Sequence, residues 1–328
     1  MTKLRSKIIL HIGGQKCGSS ALQGYLFFGR FELAKRGVHY LDPKLGTELR
    51  AAKSHSKLMP QLTKGGANWV RKRLAKLEWH DPTVTYAISS EGFCSMASIK
   101  DLSAALAPMS DFGNVHVVLY VRPQSEVIYS GWQQWGLNLE FDEWVNVALK
   151  RDFANWNLIL NEWRRALPDA QFSVRAFARD LFPNSDIISD FTEVTNIPRV
   201  NPRKKGQANP TFDDLTALAL RALACTNDID PKRLMVAMKK AGLELSRNPR
   251  NLVLSDDHRR QINSHYEKGN KAFLETSGMD EGMINRFLES RVPSIDSYSE
   301  HELQMQRKYL AEAITSSSEL EAYSGIRA

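Results

Sequence analysis

The chain lacks most of what would mark a secreted, membrane-embedded or nucleic-acid-binding protein. It has only three cysteines, Cys17, Cys94 and Cys225, an odd number set far apart. That usage suits reduced thiols and excludes a disulfide frame. No stretch approaches the ~18 consecutive apolar residues of a membrane-spanning helix. The apolar run Ile8-Ile9-Leu10-His11-Ile12, behind Lys3, Arg5 and Lys7, is too short for a signal-peptide core and ends in glycines. The expected location is therefore the cytoplasm. There is no run of five or more basic residues, so a nucleic-acid partner is not expected. The sequence shows no internal repeat and no clear metal-ligand cluster, and no metal is expected.

What is present is an ordinary globular composition, 42 % hydrophobic and 25 % charged, over 328 residues. That length suffices for one large domain with a substantial elaboration. The net charge of +7 is a mild excess that suits an anionic ligand. Lys7 to Gly13 reads as a strand stopped by glycines, and apolar residues at helical spacing follow from Ser19. Further strands are expected at Val84–Ser89, Val115–Val121 and Gln171–Phe177, with a helix over about 153–166 before the last. The continuous run Val115–Val121 is the pattern of a parallel strand buried on both faces. Strands alternating with helices imply an α/β fold, a central parallel sheet flanked by helices. After residue 210 the pattern becomes helical, with helices expected at about 212–225, 231–241 and 255–276, the last opened by Ser255-Asp256-Asp257. Residues 1–210 are thus read as the α/β core. Residues 211–328 are read as a helical part packed on the same domain, ending in a long polar helix pattern.

Two segments carry chemistry. In Gly13-Gly14-Gln15-Lys16-Cys17-Gly18-Ser19-Ser20 a glycine-containing loop passes from a strand into a helix. Backbone amides at such a junction form an anion cradle, and glycines let a phosphate approach closely. A Walker A loop would place lysine directly after its second glycine, whereas here the lysine precedes it by two positions. The alternative is a plain glycine turn. The second segment runs from Arg122, at the end of a buried strand, to Ser130 eight residues on, about two turns into the next helix. Ligands of open α/β sheets bind at the carboxyl ends of the strands, where a guanidinium can grip a phosphate through paired hydrogen bonds.

Together these segments resemble the sulfotransferases that use 3′-phosphoadenosine 5′-phosphosulfate (PAPS). That family carries Lys-x-Gly-Ser/Thr-Ser/Thr in its first strand-loop-helix, and an Arg ending a later strand with a Ser eight positions on. Lys16-Cys17-Gly18-Ser19-Ser20 matches the first, and Arg122 with Ser130 matches the second. The resemblance covers residues 7 to about 210 and implies a three-layer, P-loop-like fold with C-terminal helices. It implies PAPS as sulfuryl donor, with Lys16, Cys17, Gly18, Ser19 and Ser20 around the 5′-phosphosulfate and Arg122 and Ser130 on the 3′-phosphate. Lys16 would stabilise charge developing on the leaving phosphate. Lys205 and Gly206, in a basic loop, fall where relatives close over the nucleotide. The base that deprotonates the acceptor is expected to be Glu91, at the end of the second predicted strand, or His55. His11, His39, His80 and His116 are read as structural or surface residues, and most of the tryptophans as core, with Trp132 or Trp135 able to line an acceptor pocket. The acceptor would be a hydroxyl or amine of a carbohydrate, glycolipid or small molecule. The rival readings are a P-loop nucleotide kinase or NTPase with Glu91 as its acid, and a non-catalytic nucleotide-binding protein.

Overall fold

Apolar, β-branched runs and glycine stops generate the central sheet. The computed structural model describes residues 5–47, 52–202, 214–241, 251–323 and 325–326. In chain order the elements are β1 (Lys7–Gly13), α1 (Ser19–Ala34), β2 (Val38–Tyr40), α2 (Met59–Leu74), β3 (Thr85–Ser89), α3 (Ile99–Leu106), α4 (Met109–Phe112), β4 (Asn114–Val121) and α5 (Gln124–Gly131). There follow α6 (Phe141–Lys150), α7 (Trp156–Ala166), β5 (Gln171–Ala176), α8 (Ile187–Thr195), α9 (Asp214–Thr226), α10 (Pro231–Lys240), α11 (Asp256–Ser277), α12 (Glu281–Leu288) and α13 (Glu300–Thr315). Among the described residues no helix is long and apolar enough to cross a membrane.

The chain forms two compact units that interleave along the sequence. One comprises residues 1–123, 154–209 and 266–289, and the other 124–153, 210–265 and 290–328. A joint falls at 209/210, beside the boundary expected from composition, but 124–153 and 266–289 each group with the opposite side of it.

The first unit holds the whole sheet, in the order β2-β3-β1-β4-β5. Every pairing is parallel: β1 with β3 and β4, β2 with β3, and β4 with β5. Ile8, Ile9, Leu10 and Ile12 of β1 and Val117 through Val121 of β4 are buried, as strands covered on both faces must be. After β1 the chain moves one way across the sheet to β2, whereas from β2 onward it moves the other way through β3 and β4 to β5. Right-handed crossovers then put α1 on one face and the later connecting helices on the other. The packing agrees, since α1 meets α8 while α2 meets α3 and α3 meets α7. Loops leave β1 and β4 in opposite directions, and the crevice between their carboxyl ends is the topological switch point where open sheets bind ligands.

In the second unit, Asp214 begins α9 fully buried. Its carboxylate accepts hydrogen bonds from the Tyr129 hydroxyl, the Gln133 side-chain amide and the Leu252 backbone amide, each at 2.7 Å. Three donors offset the desolvation of that charge. A π-helical turn, Trp132–Gly136, follows α5, and the Trp144 indole donates to the Ile128 carbonyl at 2.8 Å. Trp132 is fully buried and therefore core, whereas Trp135 is half-buried.

Candidate functional site

The loop after β1 is built from left-handed backbone. Gly14 has φ 100°, Lys16 φ 63° and Gly18 φ 80°. At Gly14 a Cβ would overlap the Tyr120 carbonyl oxygen of β4, and at Gly18 it would lie 2.5 Å from Cε2 of Phe177. Neither position admits a side chain, so both glycines are required by contact as well as by conformation. Lys16 pays for its left-handed φ with strain of the kind that collects at functional sites. The register of β1 against β4 shifts between His11 and Gly13, which turns the chain out of the sheet into this loop.

The loop is closed internally by two bonds to the Gly14 carbonyl, from the Cys17 amide at 3.1 Å and the Ser19 hydroxyl at 3.1 Å. The Cys17 side chain is buried, its thiol 3.3 Å from the Gln15 carbonyl. Cys17 and Ser19 thus use these donors within the loop, not outward. Helix α1 has no side-chain cap at Gly18 and no acidic residue in its first turn. Its leading amides and the positive end of its dipole, with half-buried Ser20 in that turn, are the features an anion would meet.

Arg122 leaves the end of β4 and donates from Nη1 to the Lys16 carbonyl at 3.0 Å. Its own carbonyl accepts the Trp156 indole N–H at 2.8 Å, and its guanidinium lies 5.5 Å from the centre of the Phe177 ring. Glu91 follows β3 in a short 3-10 turn whose N-cap, Ser90, accepts the Gly92 amide. Burial pushes the Glu91 carboxyl above its ordinary pKa, and the Lys16 ammonium offsets part of that rise. Lys16, Glu91 and Arg122 therefore stand at the carboxyl ends of three adjacent strands, β1, β3 and β4, around the switch point.

The structure places His55, the other expected base, inside the core. It is fully buried in a 3-10 turn before α2. Its Nε2 lies 2.7 Å from the Leu41 carbonyl, and its Nδ1 lies 3.1 Å from the Ser89 carbonyl and 3.2 Å from the Ser89 amide. Both ring nitrogens are thus engaged by backbone. Burial depresses its pKa to about 4, with the two backbone bonds and Asp42 opposing. His55 is a strut of the core. His11, also fully buried, faces the Ser89 hydroxyl at 2.7 Å, and burial lowers its pKa to about 3. Ser130 is buried on α5 in the second unit. Lys205 and Gly206 lie outside the described residues.

No family model matches the chain. An uncharacterized protein of Archaeoglobus fulgidus is 28 % identical to it over 149 residues, which are 44 % of this chain and 40 % of that protein. The chain thus matches about two fifths of the length of this curated relative. The similarity names no activity, and the functional reading rests on the site itself.

Two residues at this rim carry no signal in the linear sequence. The Cys94 thiol donates to the Ile12 carbonyl at 3.1 Å and is 3 % exposed, its pKa raised to about 12 chiefly by burial. It bridges the turn after β3 to the end of β1 as an inert protonated thiol. Phe177 follows β5, whose last pair with β4 is Val121 with Ala176. Arg122 and Phe177 are therefore neighbours just past the sheet, a relation visible only once the register is known.

Proposed function

We propose that this chain is a PAPS-dependent sulfotransferase of P-loop-like fold. It would transfer a sulfuryl group to a hydroxyl, or an amine, of a carbohydrate, glycolipid or small-molecule acceptor. The observation that carries this reading is the meeting of two cationic residues at the switch point, with the Arg122 guanidinium hydrogen-bonded to the carbonyl of Lys16. Two such cations suit a nucleotide that bears charge at both its 5′ and 3′ positions. The glycine positions closed to side chains and the uncapped start of α1 also suit a 5′-phosphosulfate.

In this reading Lys16 holds the oxygen bridging phosphorus and sulfur, and Arg122 holds the 3′-phosphate. The Gly18 to Ser20 helix start receives the 5′-phosphate, through backbone amides and the Ser20 hydroxyl. Glu91 takes the proton of the acceptor as its oxygen attacks sulfur. The bond from sulfur to the bridging oxygen breaks, and adenosine 3′,5′-bisphosphate leaves with the charge that Lys16 offsets. Catalysis is then positioning and electrostatics, as in phosphoryl transfer. A carboxyl raised by burial toward neutral pH is better matched to the proton-accepting task than an ordinary one.

The test is transfer of 35S label from PAPS to a panel of glycans, glycolipids and small hydroxyl compounds, with a chelator present. Chelator-insensitive transfer supports the reading. Mg²⁺-dependent ATP turnover without transfer assigns the site to nucleoside triphosphate chemistry, and adenosine 3′,5′-bisphosphate binding without any turnover assigns it to a binding protein.

A further inference from the structure

We propose that Phe177 is a positioning residue whose ring fixes the spacing between Arg122 and the start of α1. The proposal rests on the reading above, in which those two elements hold different anionic groups of one nucleotide. It is carried by two neighbours of the ring. The Arg122 guanidinium carbon lies 5.5 Å from the ring centroid. Gly18 packs so closely that a Cβ there would lie 2.5 Å from Phe177 Cε2 and 3.2 Å from Cδ2. A single side chain thus touches the arginine that ends β4 and the residue that caps α1.

The ring is itself fixed. The Phe177 amide donates to the Val121 carbonyl at 2.7 Å, extending the β4–β5 ladder by one bond past the last paired residues. Phe182 meets the ring edge-on at 5.9 Å and meets Tyr120 edge-on at 5.9 Å. The Tyr120 hydroxyl donates to Asp190 at 2.6 Å, and Asp190 is paired with Arg175. This buried chain ties Phe177 to β4, β5 and α8, so the ring has little freedom to follow the loop. The N–H bonds of a guanidinium lie in its plane, so an aromatic ring near its face restrains the group without taking its donors. Phe177 is half-buried and reaches the rim of the sheet.

The experiment is a double-mutant cycle on the full chain, comparing wild type, Phe177→Leu, Arg122→Ala and the double variant. Calorimetric titration with adenosine 3′,5′-bisphosphate gives one readout and urea unfolding gives a second. Phe177→Leu is expected to weaken binding about fivefold in the wild-type background, the size of a lost cation–ring contact. With Arg122 already removed it should weaken binding less than about twofold, because the ring then has no guanidinium to hold. Phe177→Tyr should restore wild-type affinity. A space-filling role alone would give equal losses in both backgrounds, and that outcome overturns the proposal, as does additive unfolding across the cycle. Failure of wild type to bind the bisphosphate removes the sulfotransferase reading instead, and the unfolding cycle still decides whether ring and guanidinium act together.

Discussion

Replacing His55 and Glu91 in turn separates a core strut from the proposed base. His55→Ala removes a fully buried ring that contacts Tyr40 edge-on at 4.8 Å. It strands the Leu41 carbonyl, now 2.7 Å from Nε2, and the Ser89 amide, now 3.2 Å from Nδ1. Each buried group left without a partner costs about 1–3 kcal/mol, and the vacated volume adds to that. The two groups alone come to about 2–6 kcal/mol, a large fraction of the net stability of an ordinary domain. Turnover per folded molecule should hold, because the ring has no free nitrogen to give to an acceptor. Glu91→Gln should do the reverse. A neutral amide of the same shape relieves the desolvation that raises the Glu91 pKa, so stability should hold or rise slightly. Turnover should fall by about 10²–10⁴, the usual contribution of a positioned base. Urea unfolding and initial rates of label transfer from PAPS read the two effects on the same preparations. A His55→Ala protein that unfolds at the wild-type urea concentration yet has lost turnover would refute the reasoning, since it would put the ring in the cleft.

Other consequences can be measured independently. Lys16→Ala should lower turnover far more than affinity for adenosine 3′,5′-bisphosphate, because the ammonium acts on charge that develops during transfer; equal losses would deny it that role. Arg122→Ala should weaken affinity for the bisphosphate by about 10–150-fold, equivalent to about 1.5–3 kcal/mol for a charge-assisted contact, and unchanged affinity in a titration would remove the assignment. Acid should destabilise the fold through His11, His55 and His116, whose pKa values are depressed mainly by burial to about 3, about 4 and about 4. The native state then binds fewer protons than the unfolded chain, so the penalty is nil above pH ~6.5, grows as pH falls, and levels off below the folded values. Urea midpoints across that range check the slope, and a flat profile would show that the rings are already charged or solvated. Gly14→Ala should disrupt the loop, since a Cβ there overlaps the Tyr120 carbonyl and φ is 100°, and bisphosphate binding should be lost before far-UV circular dichroism changes.

The sequence makes the frame legible because buried parallel strands leave an unambiguous mark. Lys7–Gly13 and Val115–Val121 are continuous apolar runs, and both appear as β1 and β4 within a residue of where the pattern puts them. Val38–Tyr40 is invisible by the same logic, as a three-residue edge strand is too short to show any period. The glycine loop, Lys16 and Arg122 are readable because they abut strand ends and their spacing is local. The exchange of 124–153 and 266–289 between the two units is not readable, because it depends on contacts between segments distant in sequence. The burial of His55 is hidden for a related reason. A histidine between serines, read as a candidate base, is enclosed only by the approach of Leu41 and Ser89 from two other segments. Ser19 and Phe177 repeat the lesson at side-chain scale: the hydroxyl turns inward to Gly14, and the ring matters through a register that no motif encodes.

The electrostatics of the rim tie the two halves of the proposed reaction together. Burial alone would hold Glu91 protonated over a wider pH range, and the charge of Lys16 counteracts that. An anion seated on Lys16 cancels part of the ammonium's field at the carboxylate, so the base becomes more basic when the donor is bound. In the free protein the same carboxylate is held at lower basicity by the field of Lys16. Proton abstraction would then be strongest when a leaving group is in place and weaker when it is not. In a Walker-type site the acidic residue has to remain ionised to assist a cation, and the field of the cation would drive the carboxyl downward instead. The two chemistries therefore demand opposite shifts of one residue on ligand binding: upward for Glu91 beside a bound phosphosulfate, downward beside a metal–triphosphate complex.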